Sequence, residues 1–242
     1  MSLTKKILAG FSLLTHPAKV RHTPIQANIE VTNSCNLDCI MCDRANTIGK
    51  GDMMSLDTFK SVIDQVNPST VNLSGNGEPL LNKHVYSMIH YAKTKGIHTQ
   101  MTSNFTGVSA KAQEICQSGL DFLKVSIDGT QDETFQTVRG VVLDKIIEGI
   151  EELARVRETS NRETPLLRIN MVVLDINAGE LEAMVELAYK HSIDSVQYKW
   201  CQTFNLQKEE VTRGITVEDM NKEIEQAKAT SKRLGISTNL HL

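Results

Sequence analysis

From residue 28 onward, short β-branched runs alternate with longer stretches whose apolar residues recur at helical spacing. Period-2 or fully apolar runs of five to seven residues read as strands, and 3.6-residue periodicity reads as helix. The strand candidates are Asn28–Thr32, Thr70–Ser74, His98–Thr102, Phe122–Ile127, Leu167–Val173 and Ser195–Lys199. The helix candidates between and after them are Ser55–Val66, Lys83–Lys95, Ser109–Ser118, Leu143–Thr159, Ala178–His191 and Thr216–Leu234. Ser55 and Thr216 stand where a short side-chain oxygen would cap free helix N–H groups. Gly96, Gly119 and Gly235 stand where helices would stop, because glycine accepts the left-handed conformation. Repeated strand–helix units predict an α/β domain with a parallel sheet. Ser160–Pro165 and Gln202–Gly214 read as loops, and there is no internal repeat.

Composition narrows the class. A chain of 242 residues, 40% hydrophobic and 23% charged with net charge −3, offers no electrostatic reason to bind nucleic acid. No apolar run approaches the roughly 20 residues of a membrane span. The first 24 residues carry Lys5, Lys6, Lys19 and Arg21 and no acid, with Ile7, Leu8, Phe11 and Leu14 on one helical stripe. This reads as a basic amphipathic extension (1–24) preceding the main domain (25–242). A helix capping the floor of the fold is the favoured role there, ahead of contact with a membrane surface. A secretory signal fits poorly, since the apolar stretch is short and no small-residue cleavage site follows. Five cysteines without a secretory leader argue for reduced thiols and a cytoplasmic protein.

Candidate chemistry concentrates in Cys35, Cys39 and Cys42, a C-x3-C-x2-C spacing just after the first strand candidate. Three thiolates are one short of the four that a structural zinc or an ordinary iron–sulfur cubane takes. A cubane held by three would leave one iron open to a ligand. A zinc-stabilised binding module would need a fourth ligand, and His84, His90 and His98 are distant in sequence. The stretch Cys35-Asn36-Leu37-Asp38-Cys39-Ile40-Met41-Cys42 resembles the signature of the radical S-adenosylmethionine (radical SAM) enzymes.

That resemblance extends down the chain. Gly75-Asn76-Gly77-Glu78-Pro79 is similar to the family's Gly-Gly-Glu-Pro stretch, with Asn76 as a departure. Thr102-Ser103-Asn104 is similar to its Thr-Asn-Gly element, and Ser126-Ile127-Asp128-Gly129 to its Ser-x-Asp-Gly. The resemblance implies a partial (β/α)6 TIM-like barrel, a 4Fe–4S cluster on the three cysteines, and S-adenosylmethionine as cosubstrate. It implies that Gly75, Gly77 and Glu78 meet the methionine amino group, and that Ser103, Asn104, Ser126 and Asp128 meet ribose or carboxylate oxygens. Arg139, ten residues past Gly129, would meet the carboxylate, as in a subgroup bearing C-terminal SPASM/twitch extensions; Met41 would lie by the adenine. Cys201, at the end of the sixth strand candidate, is a candidate hydrogen donor or extra iron ligand, with simple packing favoured. An electron donor of flavodoxin or ferredoxin type is implied as partner. The expected activity is radical modification of a peptide or protein, the alternative being conversion of a small metabolite such as a sugar or nucleoside. The chain ends where a cysteine-rich auxiliary domain would begin in that subgroup, so either a minimal enzyme or a piece of a longer one is expected.

Overall fold

The computed structural model describes residues 3–15, 22–42, 44, 51–201 and 215–240. Seven strands form one sheet in chain order: β1 (Gln26–Ile29), β2 (Thr70–Leu73), β3 (His98–Ser103), β4 (Phe122–Ser126), β5 (Leu166–Val173), β6 (Ser195–Trp200) and β7 (Ser237–Thr238). Every neighbouring pair is parallel, which requires a crossover connection between consecutive strands. The helices are α1 (Leu3–Thr15), α2 (Leu56–Val66), α3 (Val85–Thr94), α4 (Ala112–Gln117), α5 (Asp132–Arg139), α6 (Leu143–Thr159), α7 (Leu181–Lys190) and α8 (Val217–Leu234). The partial barrel expected from the sequence is thus present, extended by the two-residue β7.

The hydrophobic core lies between the outer face of the sheet and the helices. Leu73, Met101, Leu123, Val125, Ile169 and Met171 point outward from the strands and meet Phe59, Ile63, Met88, Ile89, Ile150, Leu153 and Val185 from the helices, all at most 1% exposed. Each such side chain contributes about 1.5–3 kcal/mol relative to exposure. The inward face is different. Alternation turns Asn28, Asn72, Gln100, Lys124, Arg168 and Asn170 toward the interior, so the barrel is lined with polar groups.

Local signals hold at the ends of elements. The Ser55 hydroxyl accepts from Thr58 N at 3.1 Å, and the Thr216 hydroxyl from Asp219 N at 3.1 Å. Differences from expectation have identifiable causes. The first strand runs Gln26–Ile29 rather than Asn28–Thr32, because Thr32 has left the sheet to bridge Met53 in antiparallel fashion. Two helices begin with 3-10 turns, Ser109–Lys111 before α4 and Asp175–Glu180 before α7. Helix α1 forms, yet Ile7, Phe11 and Leu14 of its apolar stripe are 61%, 63% and 84% exposed, so it does not cap the barrel floor. Lys19, Arg21 and the expected loop Gln202–Gly214 lie outside the described residues.

Candidate active site

The C-terminal ends of β1 to β4 converge with the loops that follow them, the location where parallel barrels gather chemistry. A cavity of about 260 Å³ opens there, lined by Cys35, Cys39, Met41, Cys42, Gly75, Gly77, Glu78, Ser103, Asn104, Ser126 and Arg139. Residues scattered over a hundred positions of sequence therefore share one wall. A roomier groove on the outside, about 500 Å³ between α2, α3 and α4, lies away from the cysteines.

Three neighbouring segments hold the cysteine loop. Glu78 N donates to Ser34 O at 2.8 Å, Asn104 Nδ2 donates to Asn36 Oδ1 at 2.9 Å, and Ile40 N donates to Val138 O at 3.1 Å. Arg139 Nη1 reaches Cys39 Sγ at 3.5 Å. Gly77 makes the first of these contacts possible: a Cβ there would stand 2.2 Å from Thr32 O and 2.7 Å from Ser34 O, both backbone atoms. Only a residue without a side chain permits that approach. Gly77→Ala is therefore expected to lower stability by about 1–3 kcal/mol, as for an overpacked site. It should also lower iron uptake on reconstitution. Thermal denaturation and iron content would check both; a variant indistinguishable from wild type on both would refute the role given to Gly77.

Glu78 is 4% exposed. Its Oε1 accepts from the Ser103 hydroxyl at 2.9 Å and from Leu80 N at 3.1 Å, and its Oε2 accepts from Asn104 N at 2.6 Å. Burial pushes this carboxyl up from the ordinary range, and the three hydrogen bonds pull the other way. A carboxylate held this rigidly in a dry wall suits a cationic ligand, whose charge would offset the burial. Ser103 and Asn104 act within the same network: Ser103 Oγ also accepts from Phe105 N at 3.0 Å, while Asn104 Oδ1 accepts from Thr106.

Asp128 lies behind the wall rather than on it. Its side chain is fully buried; Oδ1 accepts from Val172 N at 2.6 Å, and Oδ2 is paired with Arg139 Nε. Burial works against the Arg139 charge, but the Asp128 and Cys39 fields hold this guanidinium protonated. Arg139 thus presents a fixed positive charge to the cavity, and Asp128 orients it. Burial raises the Cys39 thiol above its ordinary value, with Arg139 opposing. Cys201 is not on the cavity wall; it packs with Met41, Ile40, Val138, Val172 and Leu174 in a small apolar cluster at the barrel mouth. Cys116 is buried in α4.

Sequence reasoning passed over several residues that shape this site. Glu30 accepts from Asn76 N at 2.5 Å. Asn82, 1% exposed, donates to Val31 O at 2.8 Å and Met54 O at 3.0 Å. Asn177, fully buried, donates to Asp128 O at 2.8 Å and Val172 O at 2.9 Å. Their work is to satisfy distant backbone groups, which leaves no local pattern.

The donor set fits an iron–sulfur cluster. Three thiols open onto one cavity, and thiolates are the ligands that hold iron–sulfur clusters.

Comparison with known proteins agrees. The model of the radical SAM superfamily matches residues 29–188. A probable GTP 3′,8-cyclase of Thermoplasma volcanium is 27% identical over 223 residues, covering 89% of this chain and 65% of that protein. An AdoMet-dependent heme synthase of Methanosarcina barkeri is 30% identical over 167 residues, covering 66% of this chain and 45% of that protein. The chain therefore spans about half to two thirds of the length of these relatives. Among solved structures, Streptococcus suis SuiB bound to S-adenosylmethionine superposes with a TM-score of 0.75 at 15% identity, over 97% of this chain and 53% of SuiB. SuiB bound to its precursor peptide SuiA gives 0.73 at 16%, over 90% of this chain and 48% of SuiB. The chain belongs to the radical SAM superfamily, whose enzymes use a 4Fe–4S cluster and S-adenosylmethionine.

Proposed function

We propose that this protein applies radical SAM chemistry to a small metabolite of the nucleotide class. The observation that carries the chemistry is the cysteine triad opening onto the same cavity as Gly77, Glu78, Ser126 and Arg139. Cys35, Cys39 and Cys42 would hold the cluster and leave one iron for S-adenosylmethionine. Bound there, the cluster would supply the electron that cleaves the sulfonium. Glu78 receives the methionine ammonium and Arg139 its carboxylate, an arrangement that matches opposite charges across a dry wall. Ser103, Asn104 and Ser126 face the sugar, Gly75 and Gly77 line the cavity while letting Glu30 and the cysteine loop pack against them, and Met41 packs on the adenine. Asp128 acts through Arg139.

The substrate class rests on the relatives. A protein matched over 89% of this chain is named a GTP 3′,8-cyclase, a small-nucleotide enzyme by that name. The peptide-modifying reading draws support from peptide-bound structures of at most 17% identity, a likeness in fold alone. Small-metabolite conversion therefore takes precedence over the peptide or protein modification first expected. A reduced cytosolic setting and a flavodoxin- or ferredoxin-type electron donor complete the proposal.

The reconstituted protein, given a strong reductant and S-adenosylmethionine, should release 5′-deoxyadenosine and methionine even without substrate. Nucleoside triphosphates should change that rate more than peptides do. Accumulation of S-adenosylhomocysteine in place of 5′-deoxyadenosine would overturn the scheme.

A further inference from the structure

The inner wall of β4, β5 and β6 carries three cations that the proposed cosubstrate site does not use: Lys124, Arg168 and Lys199. Alternation places Lys124 on the face of β4 that carries Ser126, one inward step below the cavity wall. Its direct neighbour in the parallel register is Arg168 on β5, while Lys199 on β6 pairs with Val172, at the level of Asp128. The row thus runs from the barrel interior up to the rim.

The Lys124 ammonium reaches across the barrel. Its Nζ donates to Asn72 Oδ1 at 3.0 Å, and β2 and β4 are separated by β3, so the bond passes over the inner face of the sheet. Asn72 in turn donates to Asn28 Oδ1 at 3.0 Å. The partner of this buried charge is therefore a neutral amide. Arg168 likewise donates to an amide, Asn170 Oδ1 at 3.2 Å, and its guanidinium stacks 5.2 Å from the Phe122 ring. Among the described residues, no carboxylate forms an ion pair with any of the three. Asp128, the acid whose field reaches Lys199, is already matched to Arg139.

Lysine and arginine are seldom buried without an opposite charge, because removing a charge from water is costly. Here Lys124 is 7% exposed. Burial, with repulsion from Arg168 and Lys199, pushes its ammonium down to about 8. Burial also lowers Arg168, and burial with Arg168 repulsion lowers Lys199. An anion among them would relieve burial and repulsion together. A forked guanidinium with two ammonium groups offers more donors than one carboxylate can accept, and suits the several oxygens of a phosphate.

We propose that Lys124, Arg168 and Lys199 dock a phosphate group of the substrate, leaving the remainder of that molecule facing the cavity above. This rests on the small-metabolite reading and adds to it which residues of the barrel receive the phosphate.

Calorimetric titration of the anaerobically reconstituted protein with inorganic pyrophosphate tests it, with succinate as the carboxylate arm. Pyrophosphate should bind, succinate should bind at least tenfold more weakly, and the pyrophosphate affinity should fall as salt rises. Arg168→Gln and Lys199→Gln, at partly exposed and exposed positions, should each weaken pyrophosphate binding by about tenfold, the factor that one charge-assisted contact supplies. Lys124→Met should lose binding while its Tm stays at or above wild type, because it removes an unmatched buried charge. Absence of pyrophosphate binding, equal succinate binding, or unchanged binding in Arg168→Gln and Lys199→Gln would each overturn the assignment. Cosubstrate cleavage by the same wild-type preparation separates the two readings. Cleavage without pyrophosphate binding sinks the phosphate site alone, and pyrophosphate binding without cleavage sinks the radical scheme alone.

Discussion

Alanine in place of any one of Cys35, Cys39 or Cys42 is expected to bring iron after anaerobic reconstitution down to background, whereas Cys116→Ala should keep about four irons per chain. The contrast follows from placement. The triad opens onto the cavity, while Cys116 is 2% exposed within α4. Two remaining thiolates on a single loop cannot replace the third, since no other cysteine lines that cavity. Formation of 5′-deoxyadenosine should disappear with the iron. Iron and sulfide analysis with the visible spectrum of each variant checks the expectation. A triad variant that still carried a full complement of iron would show that the ligands lie elsewhere.

Arg139→Met carries the second large effect, and here the fold suffers before the chemistry does. The substitution leaves the Asp128 carboxylate fully buried with Val172 N as its remaining hydrogen-bond donor. Removing one partner of a buried ion pair costs about 3–5 kcal/mol, mostly from the stranded charge. At about 2–4 °C per kcal/mol for a domain of this size, Tm should fall by roughly 6–20 °C. Adding Asp128→Asn should restore part of the loss, because a neutral amide is cheaper to bury. Cosubstrate binding should stay weak in the double variant, since the positive charge facing the cavity is gone. Differential scanning fluorimetry of both variants, with equilibrium binding of S-adenosylmethionine, separates the effects. A Tm unchanged in Arg139→Met would mean that the pair does not hold the wall together.

Much of the architecture could be read from the chain because buried parallel strands and amphipathic helices leave strong periodicities. Leu167–Val173 is an obvious strand since its outward residues Leu167, Ile169, Met171 and Val173 are all buried against helices. Helix α5 escaped notice because only Phe135 and Val138 are buried along its eight residues. Yet α5 delivers Arg139 to the cavity, and Gly140, at φ 73°, ends it there. Strand β7 is two residues, Ser237 and Thr238, too short for any pattern. At the site, motif residues were visible because several chemistries crowd into short stretches. The distinction between Glu78, on the wall, and Asp128, behind it, was not visible: both are carboxylates at strand ends, and only packing decides which faces the ligand.

The strict chain order of the sheet also bears on how the molecule assembles. Each strand pairs with the strand before or after it in sequence, and among the described residues no pairing joins β1 to β7. A closed barrel must bring its first and last strands together, a late step that fixes a long loop for little return. Among the described residues no such step is needed, so each new strand and helix can dock on a finished edge as the chain emerges from the ribosome. Pairings confined to successive units keep the separation between contacting segments short, which favours faster folding. The cysteine loop, held by Ser34, Asn36 and Ile40 to segments after β2, β3 and β4, would then be in place once the first two thirds of the chain has formed.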